Sequence, residues 1–180
     1  SDLEIKTAEL FKIVPDYLVP LFKENEYPWE ILPKIKQTII SLTKKGIEGY
    51  IFDGENNLLI GKNVKIAKTA TLIGPAIIGN NVEIRPGAYI RGNVIIGDDV
   101  VIGNSCEFKN CIVLNKSQVP HFNYVGDSIL GYHSHLGAGV ICSNLRNDGK
   151  DVIIHADISY KTNLRKIGSF IGENVDVGCN

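Results

Sequence analysis

The sequence predicts an all-β solenoid, a parallel β-helix of hexapeptide repeats with a small α-helical cap at its N-terminal end. Two observations predict it. Large apolar residues recur at every sixth position from Ile60 to Leu114, and a second series of mostly small apolar residues recurs four positions after each of them. A period of six fits neither a helix nor an alternating strand, whereas a triangular coil with three six-residue sides produces it directly.

The two series run through the middle of the chain. The first consists of Ile60, Ile66, Leu72, Ile78, Ile84, Ile90, Ile96, Ile102, Phe108 and Leu114. The second consists of Val64, Ala70, Ala76, Val82, Ala88, Val94, Val100, Cys106 and Ile112, and Gln118 breaks it. One coil therefore takes about eighteen residues, and residues eighteen apart are expected to stack at the parallel-strand spacing of about 4.8 Å.

Glycine often follows the large apolar residue of the repeat. We expect a tight corner that needs permissive dihedral angles at each of these positions, which include Gly61, Gly79, Gly97 and Gly103. The phase of the repeat slips between Gln118 and Val125 and then resumes. Residues 142–167 have no hexad register and are predicted to form a long loop at one corner. Because natural solenoids cover their open edges, the stop in mid-repeat leads us to expect further C-terminal coils.

Helix-like spacing marks the segment before the repeat. Leu32, Ile35, Ile39 and Leu42 follow one another at intervals of three and four, and Pro28 opens this longer helix. We therefore divide the chain into a helical cap at residues 1–50 and a β-helix at residues 51–180. Nothing in the cap looks catalytic, so its expected role is to cover the open edge of the first coil.

Composition excludes several function classes. Lys and Arg together number 19 and Asp and Glu 20, and the net charge of -1 argues against a broad surface for nucleic acid or anionic membrane. The chain shows no apolar run long enough to cross a bilayer and no export-signal pattern, so a cytoplasmic protein is expected. The four cysteines have neither a CxxC pair nor zinc spacing, which favours small buried side chains.

Four polar residues fall on grid positions that glycine usually holds: Arg85, Arg91, Lys109 and His121. Arg91 and Lys109 lie eighteen residues apart and are expected to stack. Arg85 and His121 lie thirty-six apart, which predicts a shared column over Gly103 and a candidate pocket floor there. Stacked cations repel unless an anion lies near both, and a guanidinium with an ammonium suits a phosphate, although single cations on such a face are usually just solvated.

Several motifs between residues 60 and 180 resemble one enzyme family. They are IRPGAYIRG, GNSCEFKN, VPHFNYVGD, LGAG and CSNLRNDG. They resemble the acetyltransferase half of the bifunctional enzymes that make UDP-N-acetylglucosamine, and more closely the archaeal-type sugar-1-phosphate nucleotidylyltransferase/acetyltransferases. The resemblance implies a left-handed β-helix and a homotrimer. It also implies transfer of an acetyl group from acetyl-CoA to the amine of an amino-sugar 1-phosphate such as glucosamine-1-phosphate, at a cleft between subunits.

The resemblance also implies roles for individual residues. His121 matches the catalytic base, and an imidazole can take a proton from an attacking amine without a metal ion. The matched substrate-binding positions are Arg85, Arg91, Lys109, Tyr124, Asn144 and Lys166. His135 stands at a further substrate-binding position where the family usually has Asn, and Cys179 stands where better-known bacterial relatives have a serine near acetyl-CoA. No Gly-rich nucleotide loop precedes the repeat, so the nucleotidylyltransferase domain is expected to be absent from this chain.

Two other readings stay open. One is a zinc enzyme in which His121, His133, His135 and His155 supply ligands at subunit boundaries, although no third histidine has convincing spacing. The other is a non-catalytic module that binds sugar phosphates or mediates oligomerisation, related to the β-helices of sugar nucleotidylyltransferases. The absent nucleotidylyltransferase half and His135 favour the module, whereas His121, Tyr124 and the Arg91–Lys109 pair favour catalysis.

Overall fold

The computed structural model describes residues 6–142, 153–154 and 168–178. Its strands form three sheets, which are the three sides of a parallel β-solenoid of about five turns, and the predicted solenoid is thereby confirmed. Among the described strands, only those at the two ends of the first sheet pair antiparallel.

In the described part of the chain, nineteen short strands build the three sides. In chain order they are β1 Ile51–Asp53, β2 Leu58–Ile60, β3 Lys65–Ile66, β4 Thr71–Ile73, β5 Ala76–Ile78, β6 Glu83–Ile84, β7 Tyr89–Arg91, β8 Val94–Ile96, β9 Val101–Asn104, β10 Glu107–Lys109, β11 Cys111–Val113, β12 Gln118–His121, β13 Tyr124–Gly126, β14 Ile129–Leu130, β15 His135–Leu136, β16 Ile141–Cys142, β17 Ile153–Ile154, β18 Phe170–Ile171 and β19 Asp176–Val177.

We number the sides in the order in which the chain visits them. The first side has the spatial order β1-β2-β5-β8-β11-β14-β18-β17. The second side is β3-β6-β9-β12-β15-β19, and the third side is β4-β7-β10-β13-β16. The chain therefore passes from the first side to the second and third sides once in each coil.

Inside the prism, the alternating residues of all three sides form one continuous apolar core. The strands β2, β5, β8 and β11 of the first side, for example, point their first and third residues inward, as Val94 and Ile96 do in β8. Large side chains such as Phe108 are fully buried in this core. Because the side chains of a strand alternate between its two faces, the residue between two inward ones points away from the prism.

The first coils of the solenoid take eighteen residues each, and the ones that follow take seventeen. Tyr89 pairs with Glu107 eighteen residues later, whereas Glu107 pairs with Tyr124 after seventeen. On the first side, the shorter step already separates Val94 from Cys111. The turn from the third side back to the first has therefore lost one residue immediately before Cys111. The phase slip that the sequence predicts between Gln118 and Val125 is wrong in position, because it occurs at this earlier turn.

Left-handed backbone at the corners comes mostly from residues other than glycine. Positive φ angles occur at Asn57, Asn63, Asn81, Asn93, Asp99, Ser105, Asn110, Lys116, Phe122, Asp127, His133 and Asn174. Asparagine and aspartate dominate this set because their short polar side chains tolerate the left-handed region. The glycines at which we expected permissive dihedral angles are not among the glycines with positive φ, so that explanation is wrong for them.

These glycines allow successive coils to approach each other closely. A Cβ atom at Gly79 would collide with the backbone of Gly97, and one at Gly103 would collide with the backbone of Pro120. The absence of a side chain therefore lets one corner rest directly on the next. Gly103 accordingly has no open space above it, and the predicted pocket floor at this position is wrong.

A ladder of side chains links the coils at the corner between the first and second sides. The Lys62 N–H donates to Asn80 Oδ1 at 2.7 Å, and the Asn80 N–H donates to Asp98 Oδ1 at 2.8 Å. The Asp98 N–H donates in turn to Asn115 Oδ1 at 2.8 Å. Each polar side chain thus pairs a backbone donor of the preceding coil that the strands leave free.

From residue 6 onward, the helical cap consists of three short helices and three 3₁₀ turns. The helices are α1 Thr7–Leu10, α2 Val19–Glu24 and α3 Ile35–Lys45, and the turns are Asp16–Leu18, Pro28–Glu30 and Leu32–Lys34. Buried residues of this segment include Leu18, Ile31, Ile35 and Ile39. Among the described residues, no helix is long and apolar enough to span a membrane.

The cap packs along the outer face of the first side, and the expectation that it covers the open edge of the first coil is wrong. The outward residues of β2, β5, β8, β11, β14 and β18 are apolar and buried against the cap: Leu59, Ile77, Ile95, Ile112, Ile129 and Phe170. Together these six residues form the apolar column of the first side. The physical reason for this placement is area, because the column extends over the full height of the solenoid and a single coil edge offers far less apolar surface.

The N-terminal segment also reaches the last described coil. Glu173 Oε2 accepts hydrogen bonds from the backbone N–H groups of Lys12 at 2.9 Å and Ile13 at 2.6 Å. Glu173 lies in the turn between β18 and β19, so these bonds connect the beginning of the chain to its far end.

Most of the predicted loop at residues 142–167 lies outside the described residues. The described part is β17, which pairs antiparallel with β18 at the end of the first side, where Ile153 is opposite Ile171.

We predict that Ile95→Ala lowers the free energy of unfolding by about 2–5 kcal/mol, because it opens a cavity between α3 and the apolar column of the first side. Val101→Ala is the matched control, since Val101 is the outward residue of the second side in the same coil and is only half-buried. Denaturant unfolding of both variants checks the prediction. Equal losses for the two variants would contradict the packing of the cap on the first side.

Candidate active site

Arg91 and Lys109 project from the outer face of the third side. They are the last residues of β7 and β10, and the register of these two strands stacks them directly, as their spacing of eighteen predicts. The next residue in this column is Gly126, which is paired with Lys109. A parallel column holds Tyr89, Glu107 and Tyr124. The two columns form the third-side patch.

Arg91 is paired with protein groups on both of its flanks. Its Nη1 lies 2.6 Å from Glu107 Oε2, and its guanidinium carbon lies 6.0 Å from the centre of the Tyr89 ring. The hydrogen bond to Glu107 raises the pKa of Arg91 above its usual value. The guanidinium is therefore held between a carboxylate and an aromatic face.

Lys109 has a carboxylate partner of its own. Its Nζ lies 3.2 Å from Asp127 Oδ2, while Asp127 Oδ1 accepts a hydrogen bond from Asn110 Nδ2 at 2.9 Å. Repulsion between Arg91 and Lys109 is thus offset by Glu107 and Asp127. The anions that the stacked cations require are thus present in the protein itself, as the two carboxylates, and phosphate binding at this pair stays a prediction.

Tyr124 lies in the third-side patch, in the coil that follows Glu107 and Lys109. A Cβ atom at Gly126 would come within 2.5 Å of the Tyr124 hydroxyl oxygen, so the glycine leaves space for the ring. Partial burial raises the pKa of Tyr124, and the negative charge of Asp127 adds to this effect. The phenol is therefore neutral at physiological pH and can donate a hydrogen bond.

His121 lies at the corner where the chain passes from the second side to the third. It ends β12, and three residues later Tyr124 begins β13 in the third-side patch. The imidazole is exposed, and among the described residues it has no hydrogen-bond partner. The next residue, Phe122, has a φ of 52° and a side chain that is 65% exposed.

The structure separates His121 from the column of Arg85. His121 pairs with Asn104 and not with Gly103, because the turn before Cys111 has lost one residue. Pro120 stands over Gly103 instead. The predicted column of Arg85 and His121 is therefore wrong by one position, although both residues lie at the same corner.

Arg85 and His135 belong to the second side. Arg85 Nε lies 3.1 Å from Glu83 Oε2. His135 is the outward residue of β15, and its Nδ1 lies 2.9 Å from Asp176 Oδ1. His135 also lines a cavity of about 320 Å³ with Lys116, Gln118, His133, Ser134, Asn174, Val175 and Asp176. The structure thus groups Arg91, Lys109 and Tyr124 on the third side, His121 and Arg85 at the adjoining corner, and His135 elsewhere.

The remaining predicted contacts lie outside the described residues. They are the substrate positions Asn144 and Lys166 and the acetyl-CoA position Cys179. His155, the fourth ligand of the alternative zinc site, also lies outside them. Within residues 6–142, 153–154 and 168–178, no group of three or more His, Cys, Asp or Glu side chains is arranged to hold a metal ion.

The described cysteines are buried, as their composition pattern predicted. Cys106, Cys111 and Cys142 are free thiols inside the prism. Burial raises the pKa of all three, that of Cys142 to about 12. These thiols are therefore protonated packing groups.

Sequence reasoning missed the acidic residues that pair with the cations of the third-side patch. Glu107 precedes Lys109 by two residues, and side chains two apart on a strand share one face, so the spacing could have revealed Glu107. Asp127 lies at the corner after strand β13, and its spacing in the sequence did not indicate that it pairs with Lys109. Asn123, which is buried beneath His121, was also missed because it occupies an apolar position of the repeat.

Known proteins match the chain over most of the solenoid. The chain is 37% identical over 184 residues to bifunctional protein GlmU of Methanococcus maripaludis strain C5, covering 99% of this chain and 44% of that protein. It is 39% identical over 80 residues to the bifunctional sugar-1-phosphate nucleotidylyltransferase/acetyltransferase of Sulfurisphaera tokodaii, covering 44% of this chain and 20% of that protein. The chain therefore spans less than half the length of these relatives.

A solved structure and a family description also match. The crystal structure of a hexapeptide transferase family protein from Anaplasma phagocytophilum aligns with a TM-score of 0.31 and 21% identity, over 43% of this chain and 64% of that one. Residues 72–180 match the model of the GMPPB C-terminal domain. The resemblance to sugar-1-phosphate nucleotidylyltransferase/acetyltransferases is confirmed by the relatives, and the match over more than half of its length shows that the chain belongs to the GMPPB C-terminal domain family.

Proposed function

We propose that the chain is an N-acetyltransferase that moves an acetyl group from acetyl-CoA to the amine of an amino-sugar 1-phosphate resembling glucosamine-1-phosphate. The observation that carries this proposal is the stacking of Arg91 on Lys109 beside Tyr124, with His121 at the corner leading into the same side. The printed names of the relatives, which include sugar-1-phosphate nucleotidylyltransferase/acetyltransferase, support the reaction class.

The phosphate of the sugar would bind at Arg91 and Lys109. Both cations are paired with carboxylates, and the Arg91–Glu107 pair is partly exposed. Exposed ion pairs are weak, and a guanidinium binds a phosphate through two parallel hydrogen bonds, so a phosphate dianion can compete with Glu107. The neutral Tyr124 hydroxyl is available to donate to a sugar or phosphate oxygen.

His121 would accept the proton that the sugar amine loses. The amine nitrogen forms a bond to the acetyl carbonyl carbon, the bond from that carbon to sulfur breaks, and CoA leaves as the thiol. The exposed imidazole can reach a substrate that lies over the corner, and it needs no metal ion for this role. Acetyl-CoA supplies the acetyl group as a thioester.

The outer face of the third side suits a homotrimer. The cap covers the first side, whereas Ile73, Tyr89 and Ile141 remain exposed along the third side. Closed cyclic assembly would bury these side chains against neighbouring copies. The substrate cleft would then lie between subunits, and Asn144 and Lys166 stay predicted contributors to it. A cytoplasmic location also remains a proposal.

A non-catalytic sugar-phosphate-binding or oligomerisation module is the second candidate. Two observations favour it: the cations of the third-side patch are already paired, and the His121 ring has no orienting side chain among the described residues. The module would bind a sugar phosphate at Arg91 and Lys109 without transferring an acetyl group. His121 would then be an ordinary exposed corner residue.

We predict that His121→Ala lowers kcat about a hundredfold or more, because the reaction loses its proton acceptor. The assay follows CoA release from acetyl-CoA with glucosamine-1-phosphate and other amino-sugar phosphates, and light scattering checks that assembly is unchanged. His133→Ala is the control, since His133 is another exposed corner histidine, bonded to Asn174. Binding of the sugar phosphate without any His121-dependent transfer would favour the module.

We predict that Arg91→Ala raises KM for the sugar phosphate about tenfold or more and changes kcat much less, because a charge-assisted contact to the phosphate is lost. Lys65→Ala removes an exposed cation from the second side and should leave KM within about twofold of its original value. Steady-state kinetics with varied sugar phosphate measures both. Equal KM values for the two variants would contradict a phosphate site at Arg91.

A further inference from the structure

The interior of the solenoid contains one amide side chain among the described residues, that of Asn123. It points inward at the beginning of the third side and is 3% exposed. In the other coils, the same column is filled by Ala70, Ala88, Cys106 and Val140. Burying a polar amide where the fold accepts alanine carries a cost unless every polar atom is bonded, so the contacts of Asn123 call for an explanation.

Every polar atom of the Asn123 amide has a partner. Nδ2 donates to the carbonyl oxygens of Gly137 at 2.8 Å and Val140 at 3.1 Å, both in the next coil. Oδ1 accepts from the backbone N–H of His121 at 3.1 Å, and Cys106 Sγ lies 3.6 Å from it. The partners require this orientation of the amide. Rotating the amide by 180° would point its NH₂ group at two other donors, the His121 N–H and the Cys106 thiol, and would place Oδ1 against two carbonyl oxygens.

The backbone of His121 is held from both sides through this arrangement. Its N–H is bonded to the Asn123 side chain, and its carbonyl oxygen accepts a hydrogen bond from the Gly139 N–H at 3.0 Å. Asn123 also fixes the coil to which Gly139 belongs, through Gly137 and Val140. Since the ring of His121 has no partner among the described residues, its direction depends on the backbone from which it projects.

We infer that Asn123 is a positioning residue for His121, which acts from the core by fixing the corner that carries the imidazole. The inference rests on the proposed function in so far as His121 is the base. A base contributes to catalysis only when it is within hydrogen-bond reach of the proton, and a displacement of about 1 Å can lower a rate about a hundredfold. Asn123 touches neither substrate nor reacting atoms in this role.

The test compares Asn123→Ala with Ser117→Ala. Alanine already fills the column of Asn123 at two other coils, so the fold accommodates it. Ser117 is an equally buried polar residue whose Oγ lies 2.8 Å from the Gly131 carbonyl oxygen and 3.0 Å from Ser134 Oγ, so it also links two successive coils, but at the other end of β12. The control therefore removes a similar bond between coils without touching His121.

The expected result for Asn123→Ala is a tenfold to hundredfold fall in kcat with KM for the sugar phosphate within about threefold, because Arg91 and Lys109 are unaffected. Hydrogen exchange at the His121 amide should accelerate about tenfold or more. Ser117→Ala should change neither quantity. Equal kcat for the two variants, or unchanged exchange at His121, would overturn the inference.

A second variant covers the case in which Asn123→Ala fails to fold. Asn123→Ser keeps an uncharged oxygen that can accept from the His121 N–H, so a protected amide together with kcat within about tenfold of the original supports the inference. Loss of kcat despite a protected amide overturns it. If the unaltered protein transfers no acetyl group, the proposed function fails, whereas hydrogen exchange at His121 still decides whether Asn123 holds this corner.

Discussion

Parallel hydrogen bonding between successive coils is the constraint on which the rest of the structure depends. Because each coil rests on the preceding one in a fixed register, a residue at one position stands over its equivalent in the next coil, as Thr71, Tyr89 and Glu107 do. Inward columns are then mostly apolar, with Asn123 as an exception, and most corners repeat a left-handed residue. The same constraint brings Arg91 and Lys109 together although a whole coil separates them in the chain.

The hexad pattern was sufficient to predict the solenoid but not its register beyond Lys109. Losing one residue at a corner leaves the apolar count undisturbed, because both Val113 and Leu114 are large and apolar. Val113 takes the inward position, and Leu114 packs with the cap. Columns within one set of equal coils were thus predictable, as Arg91 and Lys109 show, whereas His121 lies beyond the shortened turn and was displaced by one position.

The docking of the cap and the pairing of the charged residues were missed for different reasons. The strands of the first side are continuous apolar triplets such as VII in β8, which is the pattern of strands covered on both faces, so the docking of the cap was encoded but not recognised. The pairing of Lys109 with Asp127 depends on which corner atoms come within bonding distance after stacking. The spacing of residues in one sequence does not give these distances. The neutralisation of the cations of the third-side patch by carboxylates could therefore not be predicted from the sequence.

The contact of Lys12 and Ile13 with Glu173 bears on the order in which the protein can fold during synthesis. The cap emerges from the ribosome before the solenoid, yet its apolar surface is matched by a column whose last described member, Phe170, is made only after most of the coils beneath the cap. The apolar groups of the cap must therefore stay exposed until the coils are made, or the cap must dock in stages as each coil is added. Contacts of such long sequence separation are slow to form, and they delay docking of the whole cap until the coil that carries Phe170 and Glu173 is available.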